Sequence, residues 1–463
     1  MKTFQTRRRW VACAVALSVA ASVALTSCAS NDASSSGESG GAAGNSPLPK
    51  ELVDAAVAKA KAIAGQEKLG DSLSIVGIAG GEEGGSLEQA MAPFTTATGT
   101  KIKYTGTGDQ AKVVQSAVEG GNLPDLVDGQ GAGQMLEYAK QGKLLPLNDV
   151  VGDELNNYNK GLTDFASVGG KVYGLWGETD SFAIWYDPQT YKGPKDPASW
   201  AELQSWVDDN PSAGSAPAPW CMTLEAGTRT GFPAQAITEN IFLKMWGPEK
   251  MKQWASGELS WTSPEVKAAF ERFGQIVKSD KTVNGGPSAV VSTSFANFAD
   301  GMYTKPQQCQ LSLWGNYIGG LIKANNPSVS SPETLDFFNV PGDTPEAKSA
   351  ENTTGHLMYA FKDKDNPTTR AFLKYWASSE AQSLIAASGR WTVANSKVPS
   401  SAYPNPALRK SAQQLQDAKV LSPGPATTAN SATIAAWNTA VVNYIQDPET
   451  LDKGLANVQA TIK

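Results

Sequence analysis

The sequence predicts an α/β protein, and three observations predict it. From residue 72 onward, short apolar runs alternate with stretches of helical patterning. The early runs end in glycines and acids: Gly80-Gly81-Glu82-Glu83 after the first, Gly106-Thr107-Gly108-Asp109 after the second, and Asp128 at the end of the third. A helical stretch follows each of the first two loops. Strand, loop, helix, strand at this spacing argues a parallel α/β sheet, in which ligands bind beyond the carboxyl ends of the strands.

The first residues read as a leader. Lys2, Arg7, Arg8 and Arg9 precede an apolar run from Trp10 to Leu25. That run is shorter than the ~20 residues a membrane-spanning helix needs. Its length and flanks are those of a secretory signal. It ends in Leu25-Thr26-Ser27-Cys28, small residues followed by cysteine, which looks like a lipobox. The expectation is that residues 1–27 are removed as a lipoprotein signal peptide and Cys28 is lipidated. The mature chain is then held at the outer face of the cytoplasmic membrane, each buried methylene of lipid contributing about 0.8 kcal/mol. A plain signal with a chance cysteine is the competing reading. Losing residues 1–27 takes the chain from 463 to 436 residues and the formal charge from −6 to −10. Such an acidic balance argues against nucleic acid as a partner.

Four cysteines sort by position. Cys13 leaves with the leader and Cys28 takes lipid, so Cys221 and Cys309 remain in an exported chain, where disulfides persist. They are expected to pair. Two cysteines and one histidine do not suggest zinc, and no metal or cofactor is expected.

Residues 28–46 are Ser/Gly/Ala-rich and read as a flexible tether. Residues 47–70 hold an N-terminal helix with Leu52, Val53, Val57 and Ile63, either packed on the module or extending a stalk. Strands are expected over 72–78, 101–105 and 123–128. Helices are expected over 87–98 and around Val113, Val114 and Val118. Gly106, Gly108 and Ala111 fit a loose dinucleotide-binding pattern. They follow the second strand rather than the first, so this pattern is set aside.

Further along, a set of weak pieces comes in a telling order. These are Leu123-Pro124-Asp125-Leu126, the Gly-Lys-Leu-Leu-Pro-Leu segment at 142–147 and Lys171-Val172-Tyr173-Gly174. Trp185-Tyr186-Asp187-Pro188 and the helix start Pro197-Ala198-Ser199-Trp200 follow. In this order the chain resembles the extracellular solute-binding proteins of ABC sugar importers, the maltose-binding-protein-like group. Trp220-Cys221, Leu224-Glu225-Ala226-Gly227-Thr228, Gln308-Cys309 and Ser312-Leu313-Trp314-Gly315-Asn316 resemble its α-glucoside-type branch. Phe232 departs from that branch, which usually has tryptophan there. The resemblance covers roughly residues 70–460. It implies a two-lobed periplasmic-binding-protein-like fold with an interlobe ligand cleft, a bound carbohydrate, an ABC permease as partner, a monomer, and no catalysis. Lobe 1 is expected over 71–184 and 355–398, and lobe 2 over 185–354 and 399–463.

A sugar presents hydroxyls at its edges and C–H groups on its faces. Its site needs charged acceptors around a flat apolar plate. The expected acceptors are Asp109, Asp180 and Glu225, with Glu82 next. Trp314 and Trp391 are the expected plates, Arg390 and Asn316 the polar clamps, and Gly355 a point of close backbone approach. Each has a plainer reading. Asp109 also fits a helix cap, Asp180 a turn, and Glu82 and Glu83 solvated loop charges. Trp185, Trp200 and Trp376 read as packing, Trp220 as packing on the disulfide, and His356 as structural. Two other functions compete. A glycosidase would use Glu225 and Asp180 as its carboxylate pair. The same fold would also suit a polyol, amino-sugar or glycerol phosphodiester, although Arg390 is the lone basic candidate for a phosphate.

Overall fold

The computed structural model describes residues 47–462; the expected lipobox and tether lie outside this range. The helix α1 (Lys50–Ala64) buries Ala56 and Ala60 in the core of the first lobe rather than extending a stalk. Lys59 fixes it there through Glu154, 2.9 Å away.

β1 (Ser72–Gly77) leads into α2 (Gly81–Thr98), β2 (Lys101–Gly106), α3 (Gln110–Gly120) and β3 (Leu126–Gln130). β1 alternates, burying Leu73 and Ile75, and pairs in parallel with β2 and β3. α2 starts earlier than its apolar residues suggest, because the backbone turns at Gly81 (φ 52°) and places the glutamates in the first helical turn.

The chain continues through β4 (Leu175–Asp180), β5 (Phe182–Tyr186), β6 (Ala218–Trp220), β7 (Cys309–Gly315) and β8 (Asp336–Asn339). Then come β9 (Ala350–Glu351), β10 (Thr354–Tyr359), β11 (Thr392–Val393) and β12 (Val420–Leu421). Two main sheets result. The first runs β11-β4-β10-β3-β1-β2 and the second β8-β5-β7-β6. The expected parallel sheet is therefore mixed. β10 is antiparallel to both β3 and β4, and β11 is antiparallel to β4. β10 enters directly from a strand crossing out of the second lobe, so no helix reverses its direction.

Each sheet has its own apolar core. One core draws on Ala56 to Trp176 and Leu357 to Leu421, the other on Phe182 to Ala350 and Trp437 to Val458. The boundary expected at 184/185 lies earlier, because Phe182–Tyr186 pairs along its whole length with β7. The boundary expected at 398/399 lies later, because Tyr403, Leu408, Leu415 and Leu421 pack in the first core.

Three crossovers join the lobes, at 180–182, 351–354 and 421–425. The second and third run side by side as the parallel pair β9 and β12. Buried Lys244 binds this pair, donating to the Ala350 carbonyl (2.7 Å) and to Glu351 (2.9 Å). Cys221 and Cys309 are disulfide-bonded across 88 residues, tying the start of the Leu224 loop to β7. Trp220 stacks on Trp200 beside this bond, 6.4 Å between rings. Trp185, Trp200 and Trp376 are buried, as their places inside a strand and two helices suggested.

Candidate functional site

Acids from two strands and a histidine from the strand between them meet at the first-sheet side of the crossovers. β3 brings Asp128, β4 brings Glu178 and Asp180, and β10 brings His356. Local backbone explains the meeting. A bulge between Gly355 and Leu357 sets Gly177 and Glu178 opposite His356. Gly355 makes this possible: its φ is 157°, and a side chain there would overlap the Glu178 carbonyl oxygen. The close approach expected of Gly355 is thus to β4 rather than to a ligand.

The electrostatics of this floor are lopsided. Asp128 and Glu178 are 2% exposed. His356 Nδ1 contacts Glu178 Oε1 and stands 3.9 Å from Asp128 Oδ2, which also accepts from the Tyr104 hydroxyl at 3.1 Å. Burial alone would lower the His356 imidazole. Glu178, Asp128 and Glu83 outweigh it and lift the group to about 10, so it is protonated at neutral pH. Burial raises Asp128 to about 7, helped by the Glu178 charge and opposed by His356. Burial likewise raises Asp180 to about 7; His356 opposes this, and Glu178 and Glu83 add to it. The Asp180 Oδ1 atom is buried with no hydrogen-bond partner among the described residues.

The second lobe contributes a facing wall. Tyr317 packs against both cores and feels the charges of Asp180, Glu83 and Arg229. Gly315 leaves room for the Tyr317 ring, which stands where its side chain would be. Nearby, Arg229 lies over Phe232 at 5.0 Å, and Phe232 meets Phe295 edge-on at 5.3 Å. The wall is aromatic, but it is built from Phe and Tyr rather than from the expected tryptophans.

Most other expected site residues lie elsewhere. Trp314 is 1% exposed beneath Phe298 and Phe295, because β7 is one of the two inner strands of its sheet and Trp314 points into the second core. Trp391 is 5% exposed within the first core. Neither offers a free face. Asn316 is a hinge residue: its backbone N–H donates to Ser181, and its amide donates to Thr392 of the first lobe at 3.0 Å. Arg390 is held by Glu82 (2.7 Å) and Ser86 (3.1 Å), closing α2 onto the loop before β11. Asp109 stands at the N-cap of α3 without making a capping bond; its exposed side chain reaches Lys112 at 3.3 Å. Glu225 turns into its own loop and accepts from the Gly227 N–H at 2.7 Å. Of the expected acids, Asp180 keeps a buried oxygen, unpartnered among the described residues, at the lobe junction, as Asn316 does with its amide oxygen. The available signal for Glu178 was its alternation with Asp180 in the polar second half of a strand that opens with Leu175-Trp176.

A family model described as bacterial extracellular solute-binding protein matches residues 89–411. The osmoprotective compounds-binding protein GgtB of Synechocystis sp. is 29% identical over 354 residues, covering 75% of this chain and 82% of that one. The alpha-glucosides-binding periplasmic protein AglE of Rhizobium meliloti is 27% identical over 365 residues, 76% and 79% of the two chains. Among solved structures, the solute receptor AcbH matches with TM-score 0.67 at 18% identity, covering 84% of this chain and 98% of its own. RafE in complex with raffinose matches with TM-score 0.63 at 16% identity, over 84% and 98%. At such identities the structural likeness speaks to the two-lobed fold. The chain belongs to the bacterial extracellular solute-binding proteins, ABC-transporter receptors that hold a solute rather than transform it.

Proposed function

We propose that this chain is the lipid-anchored receptor of an ABC importer and captures a neutral, hydroxyl-rich solute, an α-glucoside or related oligosaccharide, for delivery to a membrane permease. The observation that carries the reading is the unpartnered, buried oxygen of Asp180 at the lobe junction, within electrostatic reach of Tyr317 and Glu83. Carboxylates accept from sugar hydroxyls, and aromatic rings cover C–H faces. The excess of acids over cations on the floor disfavours a phosphodiester. The ligand classes named for GgtB and AglE are polyhydroxylated or osmoprotective, in keeping with this chemistry.

A thermal-shift panel of maltose, trehalose, sucrose, raffinose and polyols tests the ligand class. A ligand at a hundredfold excess over Kd adds about 2.7 kcal/mol of stability. With the responding sugar in hand, Asp180→Ala is expected to weaken binding at least tenfold, about 1.4 kcal/mol or more, by calorimetric titration. Unchanged affinity in a folded variant removes Asp180 from the site. Cys28→Ser is expected to move the protein from the membrane to the soluble fraction; continued membrane association rejects the lipid anchor.

A further inference from the structure

The floor of the first sheet has the donor set of a cation site. Asp128, Glu178 and His356 each offer a ligand atom, and these atoms all lie within 4.8 Å of one another. They project from three neighbouring strands, β3, β10 and β4, so the sheet rather than a loop fixes their spacing. The cluster does not stand on proximity alone. Glu178 is 2% exposed, and its Oε2 is buried with no hydrogen-bond partner among the described residues. Among those residues, His356 is the sole cation at ion-pair distance from Asp128 or Glu178. A buried carboxylate oxygen left without a donor is costly unless something positive meets it.

We propose that Asp128, Glu178 and His356 bind a divalent transition-metal cation at the base of the lobe junction. One imidazole nitrogen with carboxylate oxygens suits Zn2+ or Mn2+ better than Ca2+, which takes oxygen ligands throughout, or Mg2+, which keeps most of its water. The Tyr104 hydroxyl, 3.1 Å from Asp128 Oδ2, is the outer-shell donor that orients one ligand. Binding exchanges a proton for the metal. The imidazolium of His356 gives up one proton to solvent, and its freed lone pair takes the cation. The site is a different feature from the sugar acceptors, and its test needs no sugar. A reading confined to cysteines and histidines overlooked it because most of its donors are carboxylates.

The test is calorimetric titration of ZnCl2 into purified, EDTA-stripped full-length protein, in two buffers of different ionisation enthalpy. One equivalent is expected to bind with release of about one proton. Glu178→Gln and His356→Gln are each expected to weaken this at least ~100-fold. Substoichiometric uptake by the wild type, or affinity unchanged in both variants, means adventitious surface binding and overturns the proposal. If the variants do not fold, Co2+ loading of the wild type decides. Ligand-field bands showing nitrogen coordination support the site, and a spectrum of hydrated Co2+ rejects it.

Discussion

Two charged groups are buried beside the crossovers, and they differ in balance. Around β9 and β12, Lys244 and Glu351 have side chains only 1% and 5% exposed. They neutralise each other, and the ammonium also satisfies the Ala350 carbonyl. On the first-sheet floor, Asp128, Glu178 and Asp180 share one imidazole. Burial of a matched pair holds two segments together. Burial of an unmatched set keeps acceptors ready for something that is not part of the chain. The difference separates a joint from a site without reference to any ligand.

The comparison breaks if the Lys244 pair is dispensable. Lys244→Met leaves Glu351 buried without its cation, and such losses cost about 3–5 kcal/mol. Urea denaturation is expected to show a loss of that size. The double variant Lys244→Met/Glu351→Leu is expected to recover much of it, because both charges then go together. A single variant as stable as the wild type would mean that the pair is not a joint.

A buried acid of the second lobe, together with Asp180, predicts a pH response. Glu239 lies alone in the second lobe, against Gly424, and accepts from the Ala426 N–H. Burial raises its carboxyl from an ordinary 4.5 to about 8. Between those values the folded chain holds a proton that the unfolded chain has released. Stability therefore falls as pH rises across that window. Glu239→Gln keeps the acceptor for Ala426 and removes the titration. The variant is expected to gain roughly 3 kcal/mol on the wild type between pH 5 and 8. Asp180, raised to about 7, acts in the same direction, so Asp180→Asn is expected to flatten part of the same slope. Parallel melting curves for wild type and variants across this range would refute the assignment.

What the sequence made legible follows from what is local. The Cys221–Cys309 bond followed from elimination among four cysteines. The first strand, its glycine turn and the following helix followed from apolar period and turn chemistry over neighbouring residues. The site was harder because it is assembled from afar. Glu178 and His356 lie far apart in the chain and meet only through the antiparallel pairing of β4 and β10. Trp314 shows the complementary difficulty. An aromatic beside a glycine and an asparagine has the composition of a plate, yet strand alternation does not reveal which side of β7 faces a second layer of phenylalanines. Acids alternating at the end of a strand that opens with apolar residues were the better signal, and Glu178 and Asp180 carry it together.

Asp109 gives the smallest expected effect and sharpens the distinction most. Its side chain is 71% exposed, and its ion pair with Lys112 is open to water. Exposed pairs of this kind contribute about 0–1 kcal/mol. Its position beyond the end of β2 resembles that of the glutamates beyond β1, and sequence position alone ranks it with Asp180. Burial separates the two. An exposed carboxylate already hydrated by solvent gains little from a sugar hydroxyl, whereas a buried acceptor without a donor gains a full hydrogen bond. Asp109→Ala is therefore expected to change sugar affinity less than about twofold and stability by under ~0.5 kcal/mol, measured by the titration and denaturation used for Asp180 and Lys244. A tenfold loss of affinity in this variant would place Asp109 against the bound sugar and extend the site along the sheet edge to β2.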